Sequence, residues 1–296
     1  MIRESGREGC LTYERRNSNS FIFLKCCTIY KEKREIMFGA ALGDIVGSIY
    51  EFSPIKRKDF VFLTEDMDYT DDTIMTVAVQ EALMHSDLTD EEETKLNLIK
   101  SMKKWGRLYP NPTGAYGSMF SHWLTSPSPH PYGSWGNGSA MRVSAAGWLY
   151  DTMEETRKAA RLSAVVTHNH PEGVKGADAT AAAIFLARNG EGKDSIKKYI
   201  EDKFGYDLDR PLSEIRKYYS FDGSAKGTVP ESIICFLEGE SIEDTIRNAV
   251  SLGGDADTMG AIAGSIGEAY WKEDLSSLVK GYLPQDMYSV LSLIKV

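Results

Sequence analysis

The stretch Gly253-Gly254-Asp255-Ala256-Asp257-Thr258-Met259-Gly260-Ala261-Ile262-Ala263-Gly264-Ser265-Ile266-Gly267-Glu268-Ala269 decides how this sequence is read. Its second part repeats Met259, Ile262, Ala263, Ile266 and Ala269 at helical spacing. Gly260, Gly264 and Gly267 lie among them, and small residues let one helix approach another closely. Its first part is a Gly-Gly pair, two aspartates and a threonine, with no Lys or Arg within several residues. Thr70-Asp71-Asp72-Thr73 has the same character and also precedes an apolar helical pattern, Ile74, Val77, Ala78 and Leu83.

Each acidic cluster has an ordinary reading as a helix cap, because Asp and Thr favour helix N-termini. A cap needs one side chain, whereas each cluster offers two carboxylates flanked by hydroxyls. If the two helix starts meet, four carboxylates converge, and they repel unless protonated or bound to a cation. Oxygen donors without His or Cys select Mg²⁺, Mn²⁺ or Ca²⁺ over zinc. Four Asp and two Thr suffice for two metal ions about 3.5–4 Å apart, a spacing that orients a substrate and activates water. A third acidic site lies in Gly39-Ala40-Ala41-Leu42-Gly43-Asp44-Ile45-Val46-Gly47-Ser48-Ile49-Tyr50-Glu51-Phe52, where tiny and apolar residues alternate. Such a segment must pack against another backbone. Asp44 and Glu51 are seven apart, so on a helix they share a face over two turns, and Glu51 could reach the metal cluster. The alternative for Glu51 is a solvated surface carboxylate.

The remaining sequence agrees with a helical protein. Val143, Ala146, Gly147 and Tyr150 form one helical pattern, and Ala179, Ala182, Ala183, Leu186 and Ala187 another. Thr89 and Glu92 resemble a capping box that starts a helix toward Trp105. Pro171, Pro211 and Pro230 each fit the first turn of a helix. Asp222-Gly223 and Glu238-Gly239 read as turns and nothing more. Period-two strand patterns are scarce, and no internal repeat is found. The fold expected is all-α, one domain over residues 37–296.

The chain has 296 residues, 26% charged and 42% hydrophobic, the balance of a soluble globular protein with a substantial core. No run reaches the roughly 18–20 apolar residues that span a bilayer, so no membrane partner is expected. The net charge of -9 argues against nucleic acid as the default partner. Cys10, Cys26, Cys27 and Cys235 show no metal-ligand spacing and suggest reduced thiols in a cytoplasmic protein. Residues 1–36 carry +3 against −12 for the remainder. They read as a loosely attached extension, such as an upstream start codon would add, or else as an ordinary N-terminal element packed on the core.

Five motifs together resemble the ADP-ribosylglycohydrolase family, which includes the dinitrogenase reductase-activating glycohydrolase. They are Gly43-Asp44-x-x-Gly47-Ser48-x-x-Glu51-Phe52, Thr70-Asp71-Asp72-Thr73, Gly136-Asn137-Gly138-Ser139-Ala140-Met141-Arg142, Thr167-His168-x-His170-Pro171-Glu172 and Gly253-Gly254-Asp255-x-Asp257-Thr258. The compact length and Gly227-Thr228-Val229-Pro230-Glu231 look most like the bacterial and archaeal branch. The resemblance implies an orthogonal helical bundle with a metal-floored cleft. It implies that Thr70, Asp71, Asp72, Asp255, Asp257 and Thr258 hold two Mg²⁺ (or Mn²⁺) ions. Glu51 becomes a catalytic candidate beside them, with metal-bound Asp72 and Asp257 the other carboxylates to consider. Gly117 and Ser118 match a pyrophosphate-contacting loop. Gly133, Ser134, Trp135, Gly136 and Asn137 match the stretch that holds phosphate and stacks adenine, in keeping with exposed backbone N–H groups and an indole face. Trp135 is alternatively a plain core or surface residue. His168 matches a histidine near the substrate, or is a hydrogen-bonded loop residue; His170 is assigned to the start of the Pro171 helix.

The function implied is hydrolysis of the bond between ADP-ribose and an acceptor, on an ADP-ribosylated protein or a small conjugate, by a monomer. Two rivals use the same residues. One is a non-catalytic ADP-ribose-binding or structural protein, which would bind ADP-ribose and hydrolyse nothing. The other is a two-metal phosphoester hydrolase, which would release phosphate. Arginine, serine, acetyl and nucleic-acid acceptors all stay open.

Overall fold

The described residues, 34–35, 37–292 and 294–295 of a computed structural model, hold fifteen helices and one pair of two-residue strands. They lie in one unit of the chain, Lys33–Val296. Apart from residues 34–35, the extension expected over 1–36 lies outside the described residues. In chain order, β1 (Arg34–Glu35) leads to α1 (Gly39–Gly47), α2 (Asp71–Met84), α3 (Glu91–Leu108), α4 (Ser118–Thr125) and α5 (Gly138–Met141). Next come α6 (Ser144–Leu149), α7 (Met153–Val165), α8 (Pro171–Arg188), α9 (Lys193–Phe204) and α10 (Leu212–Tyr218). The last are α11 (Ala225–Glu238), α12 (Ile242–Val250), α13 (Ala256–Trp271), α14 (Ser276–Val279), α15 (Gln285–Leu291) and β2 (Ile294–Lys295). β1 and β2 pair antiparallel, Arg34 opposite Lys295. Apart from this ribbon the described residues are all-α. Among the described residues no helix is long and apolar enough to cross a membrane.

α13 is the central helix. Every residue from Ala256 to Ala269 is buried, and it packs against α1, α8, α11 and α12. A helix surrounded on all sides needs no polar face, which explains its nearly continuous small and apolar sequence. α1 is buried along its whole length as well. The two helices meet backbone to backbone. A Cβ on Gly43 would lie 1.9 Å from the Gly260 carbonyl oxygen. One on Gly39 would lie 2.4 Å from the Gly264 oxygen, and one on Gly47 2.4 Å from the Ala256 oxygen. Rising numbers along α1 meet falling numbers along α13, so the helices run antiparallel and the end of α1 lies beside the start of α13. At the opposite end the buried Glu268 carboxyl accepts the N–H of Phe38 at 2.8 Å and of Gly39 at 2.7 Å, satisfying donors that the start of α1 leaves open.

Side-chain caps open six of the fifteen described helices, with two corrections to the starts expected. α3 is capped by Asp90, whose carboxylate accepts the Glu93 N–H at 2.9 Å. The cap is therefore one residue beyond Thr89, and the Thr89 N–H is held by Asp87 instead. Pro230 does not open a helix: α11 begins at Ala225 after a Ser224 cap that accepts the Gly227 N–H at 3.0 Å. Pro230 is the sixth residue of that helix, where it leaves the Lys226 carbonyl without its usual donor. Pro171 does open α8, and Pro211 precedes α10 as its cap residue.

Candidate metal centre and binding cleft

The first turns of α2 and α13 carry the two acidic clusters, and α1 positions both. The buried Asp44 carboxylate of α1 accepts the Thr70 N–H at 2.9 Å, the Thr70 hydroxyl at 2.7 Å, the Thr73 N–H at 3.0 Å and the Thr73 hydroxyl. Asp44 thus ties the start of α2 to α1, as the glycine seam ties the start of α13. The two starts touch directly: the Thr258 hydroxyl donates to Asp72 Oδ2 at 2.9 Å. Glu51 reaches the same place by a different route from the one expected. α1 ends at Gly47, and the Tyr50 N–H bonds to the Gly47 carbonyl at 2.8 Å in a turn. Glu51 therefore does not share a helix face with Asp44. It follows the turn at the end of α1, where carboxylate oxygens of Glu51, Asp255 and Asp257 lie within 4.8 Å of one another.

Glu51, Asp71, Asp72, Asp255, Asp257 and Thr258 line one cavity of about 410 Å³, a size that suits a small-molecule ligand. Burial and mutual repulsion disfavour their ionised forms. Burial, then Asp44, Glu51 and Asp255, push Asp71 up to about 8. Burial, then Asp255 and Asp44, push Glu51 up to about 7. Asp72 and Asp257 are driven well above the usual carboxylate range, first by burial and then by neighbouring carboxylates. Asp255 rises less, because Asp257 and Asn137 hydrogen-bond to it; Asn137 Nδ2 donates to Asp255 Oδ2 at 2.7 Å. Among the described residues no salt bridge reaches these carboxylates. Crowded oxygen donors without a neutralising ion pair fit hard divalent cations. Thr70 is not among the cavity-lining residues; its hydroxyl caps α2 by accepting the Asp72 N–H at 3.2 Å. A second acidic group, Glu201, Asp207 and Asp209, is mostly exposed and stands on other elements.

The cavity walls hold most of the other expected residues. Gly117 is the N-cap of α4, Ser118 its first residue, and both line the cavity. A helix start with open N–H groups favours an anion. Ser134, Gly136, Asn137 and His168 line it too. Gly136 N–H is held by Ser134 Oγ at 3.2 Å, and Asn137 N–H by the Gly223 carbonyl at 2.9 Å. Gly133 and Trp135 do not line it. Gly133 has φ +70°, and its N–H donates to Asn169 Oδ1 at 2.7 Å. Trp135 is 58% exposed, and its carbonyl accepts the Ala225 N–H. His170 caps α8 by accepting the Glu172 N–H at 3.2 Å.

Several wall residues carried no functional signal in the sequence. Tyr116, Met119, Tyr132 and Phe221 line the cavity from loops and from the start of α4. Gly223 lines it as well, so Asp222-Gly223 is more than a turn. Arg142 ends the Gly136–Arg142 motif, where residue type alone points to no role. Its guanidinium is 1% exposed, lines the cavity, and donates through Nη2 to the Ser163 carbonyl at 3.0 Å and to Thr167 Oγ1 at 2.7 Å. Burial lowers it to about 10, which leaves it charged at neutral pH. Burial and then the Arg142 charge hold His168 well below the usual imidazole range, so His168 is neutral.

Comparison with known proteins gives one consistent result. The profile of a family described as ADP-ribosylglycohydrolase matches residues 29–275. The chain is 28% identical over 313 residues to ADP-ribosylhydrolase ARH3 of Mus musculus, covering 80% of this chain and 83% of that protein. It is 28% identical to the Homo sapiens ARH3, covering 81% and 85%. An uncharacterized protein of Archaeoglobus fulgidus is 26% identical, over 79% of this chain and 85% of that protein. Vertebrate and archaeal relatives thus match to nearly the same degree. A solved structure described as an ADP-ribosylglycohydrolase-related protein complex superposes with TM-score 0.62 and 23% identity, over 88% of this chain and 97% of that one. At that identity the likeness is one of fold.

Proposed function

The chain belongs to the ADP-ribosylglycohydrolase family, and from that membership we propose that it is a divalent-metal-dependent hydrolase. It cleaves the glycosidic bond between ADP-ribose and an acceptor, releasing ADP-ribose. The observation that carries this reading is the meeting of Glu51, Asp71, Asp72, Asp255 and Asp257 in the lining of one ligand-sized cavity. Asp71, Asp72, Asp255, Asp257 and Thr258 would hold two Mg²⁺ or Mn²⁺ ions from the lining, and Thr70 would join them from behind it, through the lone pair that its bonds to Asp44 and the Asp72 N–H leave. When bound, such ions orient ribose hydroxyls and lower the pKa of water.

The chain's own residues do the rest. The start of α4 at Gly117 and Ser118, with the Ser134–Gly138 turn, binds the anionic part of ADP-ribose. Trp135, between the cavity-lining Ser134 and Gly136 but not itself in the lining, would meet a base only outside the cavity. Asn137 holds Asp255 in place. Glu51 borders the carboxylate cluster and is the group placed to take a proton from the attacking water or give one to the leaving acceptor. Cleavage passes through an oxocarbenium-like state, as in other glycoside hydrolyses.

A panel of arginine-, serine-, acetyl- and nucleic-acid-linked ADP-ribose conjugates, incubated with Mg²⁺, Mn²⁺ or chelator, tests this by mass spectrometry. The expected result is metal-dependent release of ADP-ribose from at least one conjugate, abolished in Asp257→Asn. ADP-ribose binding without hydrolysis of any conjugate would make the protein a binding module. Full-rate hydrolysis in chelator would overturn the metal dependence.

A further inference from the structure

The cavity contains a hydrogen-bond relay that the metal cluster does not use. Arg142 Nη2 donates to Thr167 Oγ1 at 2.7 Å, and the same oxygen lies 2.7 Å from His168 Nδ1. All three side chains are buried: Arg142 is 1%, Thr167 0% and His168 6% exposed. The other ring nitrogen, Nε2, faces the Gly136–Gly138 turn and lies 3.1 Å from where a Cβ on Gly138 would stand. We propose that Thr167 and Arg142 are positioning residues that fix His168 as its Nε2–H tautomer, with that N–H offered to an oxygen of the bound ligand.

Proton accounting gives the direction. A guanidinium only donates, so Thr167 Oγ1 must accept from Arg142. The hydroxyl then has one proton to place. The Ala164 carbonyl is 3.4 Å away and Nδ1 is 2.7 Å away. The Tyr132 phenol is also near this hydroxyl, but it carries its own proton and can donate there, which leaves Nδ1, at 2.7 Å against 3.4 Å for the carbonyl, as the closer acceptor. The arrangement that satisfies each group is Arg142 to Thr167 to His168 Nδ1, which leaves the ring proton on Nε2. With the ring reversed, Oγ1 would accept from both Arg142 and Nδ1. Its own proton would then be left with the distant carbonyl or the phenol. Donation from a cation also polarises the hydroxyl and strengthens its onward bond.

That the ligand is ADP-ribose rests on the functional reading above; the tautomer does not. Histidine-labelled protein without ligand, studied by long-range ¹H–¹⁵N correlation, reads the tautomer directly. His168 is assigned by its absence in His168→Asn. The expected spectrum has a protonated Nε2 and a bare Nδ1; a protonated Nδ1 overturns the relay without recourse to any further variant. Thr167→Val removes the donor and should give a mixed tautomer with about tenfold weaker ADP-ribose binding, the scale of one hydrogen bond. Thr167→Ser should restore both. An unchanged tautomer in Thr167→Val, even with a lowered melting temperature, assigns Thr167 to packing and overturns the proposal. A wild type that binds no ADP-ribose overturns the functional reading and the ligand named here, while the tautomer still decides the relay.

Discussion

Replacing Gly43 with alanine tests the link between the helix seam and the acidic site. The new Cβ would stand 1.9 Å from the Gly260 oxygen and 2.1 Å from its carbonyl carbon. Ordinary contact begins near 3.4 Å, so the backbones must separate by about 1.5 Å, because no rotamer change moves a carbonyl. α1 cannot simply tilt, since Gly39 and Gly47 also make close approaches, 2.4 Å each, on either side. Alanine in a helix interior is worth about 1 kcal/mol over glycine. Overpacking costs about 1–3 kcal/mol and more where nothing yields. A backbone-to-backbone clash belongs at the upper end, so the net loss is about 2 kcal/mol or more. For a chain of this size that lowers the melting temperature by about 4–8 °C.

The site should suffer with the seam. Glu51 follows the end of α1, Asp255 is the N-cap of α13, and Asp44 on α1 holds the start of α2. A shift of α1 therefore displaces the carboxylates relative to one another. A ligand that binds only the folded state stabilises it by about 2.7 kcal/mol at a hundred times its Kd. Wild type should melt higher in saturating MgCl₂, and Gly43→Ala should lose most of that increment beyond its lower starting point. Gly281→Ala is the control, because nothing lies within 4 Å of its added Cβ; it should change stability by less than about 0.5 kcal/mol. If Gly43→Ala melted at or above the wild-type temperature with the MgCl₂ increment intact, the seam would not set the site.

Glu268→Gln places an amide donor against one of the two N–H groups that its carboxyl now accepts; urea unfolding should show a loss of about 1–3 kcal/mol, and equal midpoints would refute the role of Glu268 in starting α1. In chelator, stability should fall as pH rises from about 5 to about 8. The folded-state pKa values of Glu51, near 7, and Asp71, near 8, are raised above their unfolded values, so the folded state binds more protons in this range. Urea midpoints measured across that range should flatten in saturating Mg²⁺, and a midpoint that rises with pH in chelator would contradict the crowding of the carboxylates.

The sequence made the acidic clusters legible because a helix start is a local event. Thr70 and Asp71-Asp72 announce α2 by residue type alone, and Gly253-Gly254-Asp255 announces α13. The need for a close backbone neighbour was also legible, since a run such as Gly39 to Gly47 has little side chain with which to fill space. The partner was not. Nothing local says that Gly43 meets Gly260, because that pairing is fixed by two chain segments more than two hundred residues apart. The same limit hid Asp44. In the sequence it only shares a spacing of seven with Glu51; in the structure it is saturated by four donors from Thr70 and Thr73. Glu51 was placed on a continuing helix because a period of seven carries no sign of the turn after Gly47. Tyr132 and Phe221 carry no pattern at all, and Asp222-Gly223 signals only a turn, for a loop residue becomes a wall residue only when the helices on either side have been placed.

α1 therefore has a role out of proportion to its nine residues. It binds no ligand in the proposed chemistry, yet each acidic group is referred to it: α2 through Asp44, α13 through the glycine seam, and Glu51 through the turn that follows. Repelling carboxylates can be held together only by a frame whose own packing outweighs their repulsion. A frame of side chains could yield by changing rotamers; a frame of two backbones in contact cannot. On this argument, relieving the charge and loosening the seam should act in opposite directions on the metal-free protein. Asp257→Asn removes one member of the cluster and should raise metal-free stability, while Gly43→Ala lowers it. Combining the two should restore part of the lost stability without restoring the response to Mg²⁺, because the ligand set would then be short of a carboxylate as well as displaced.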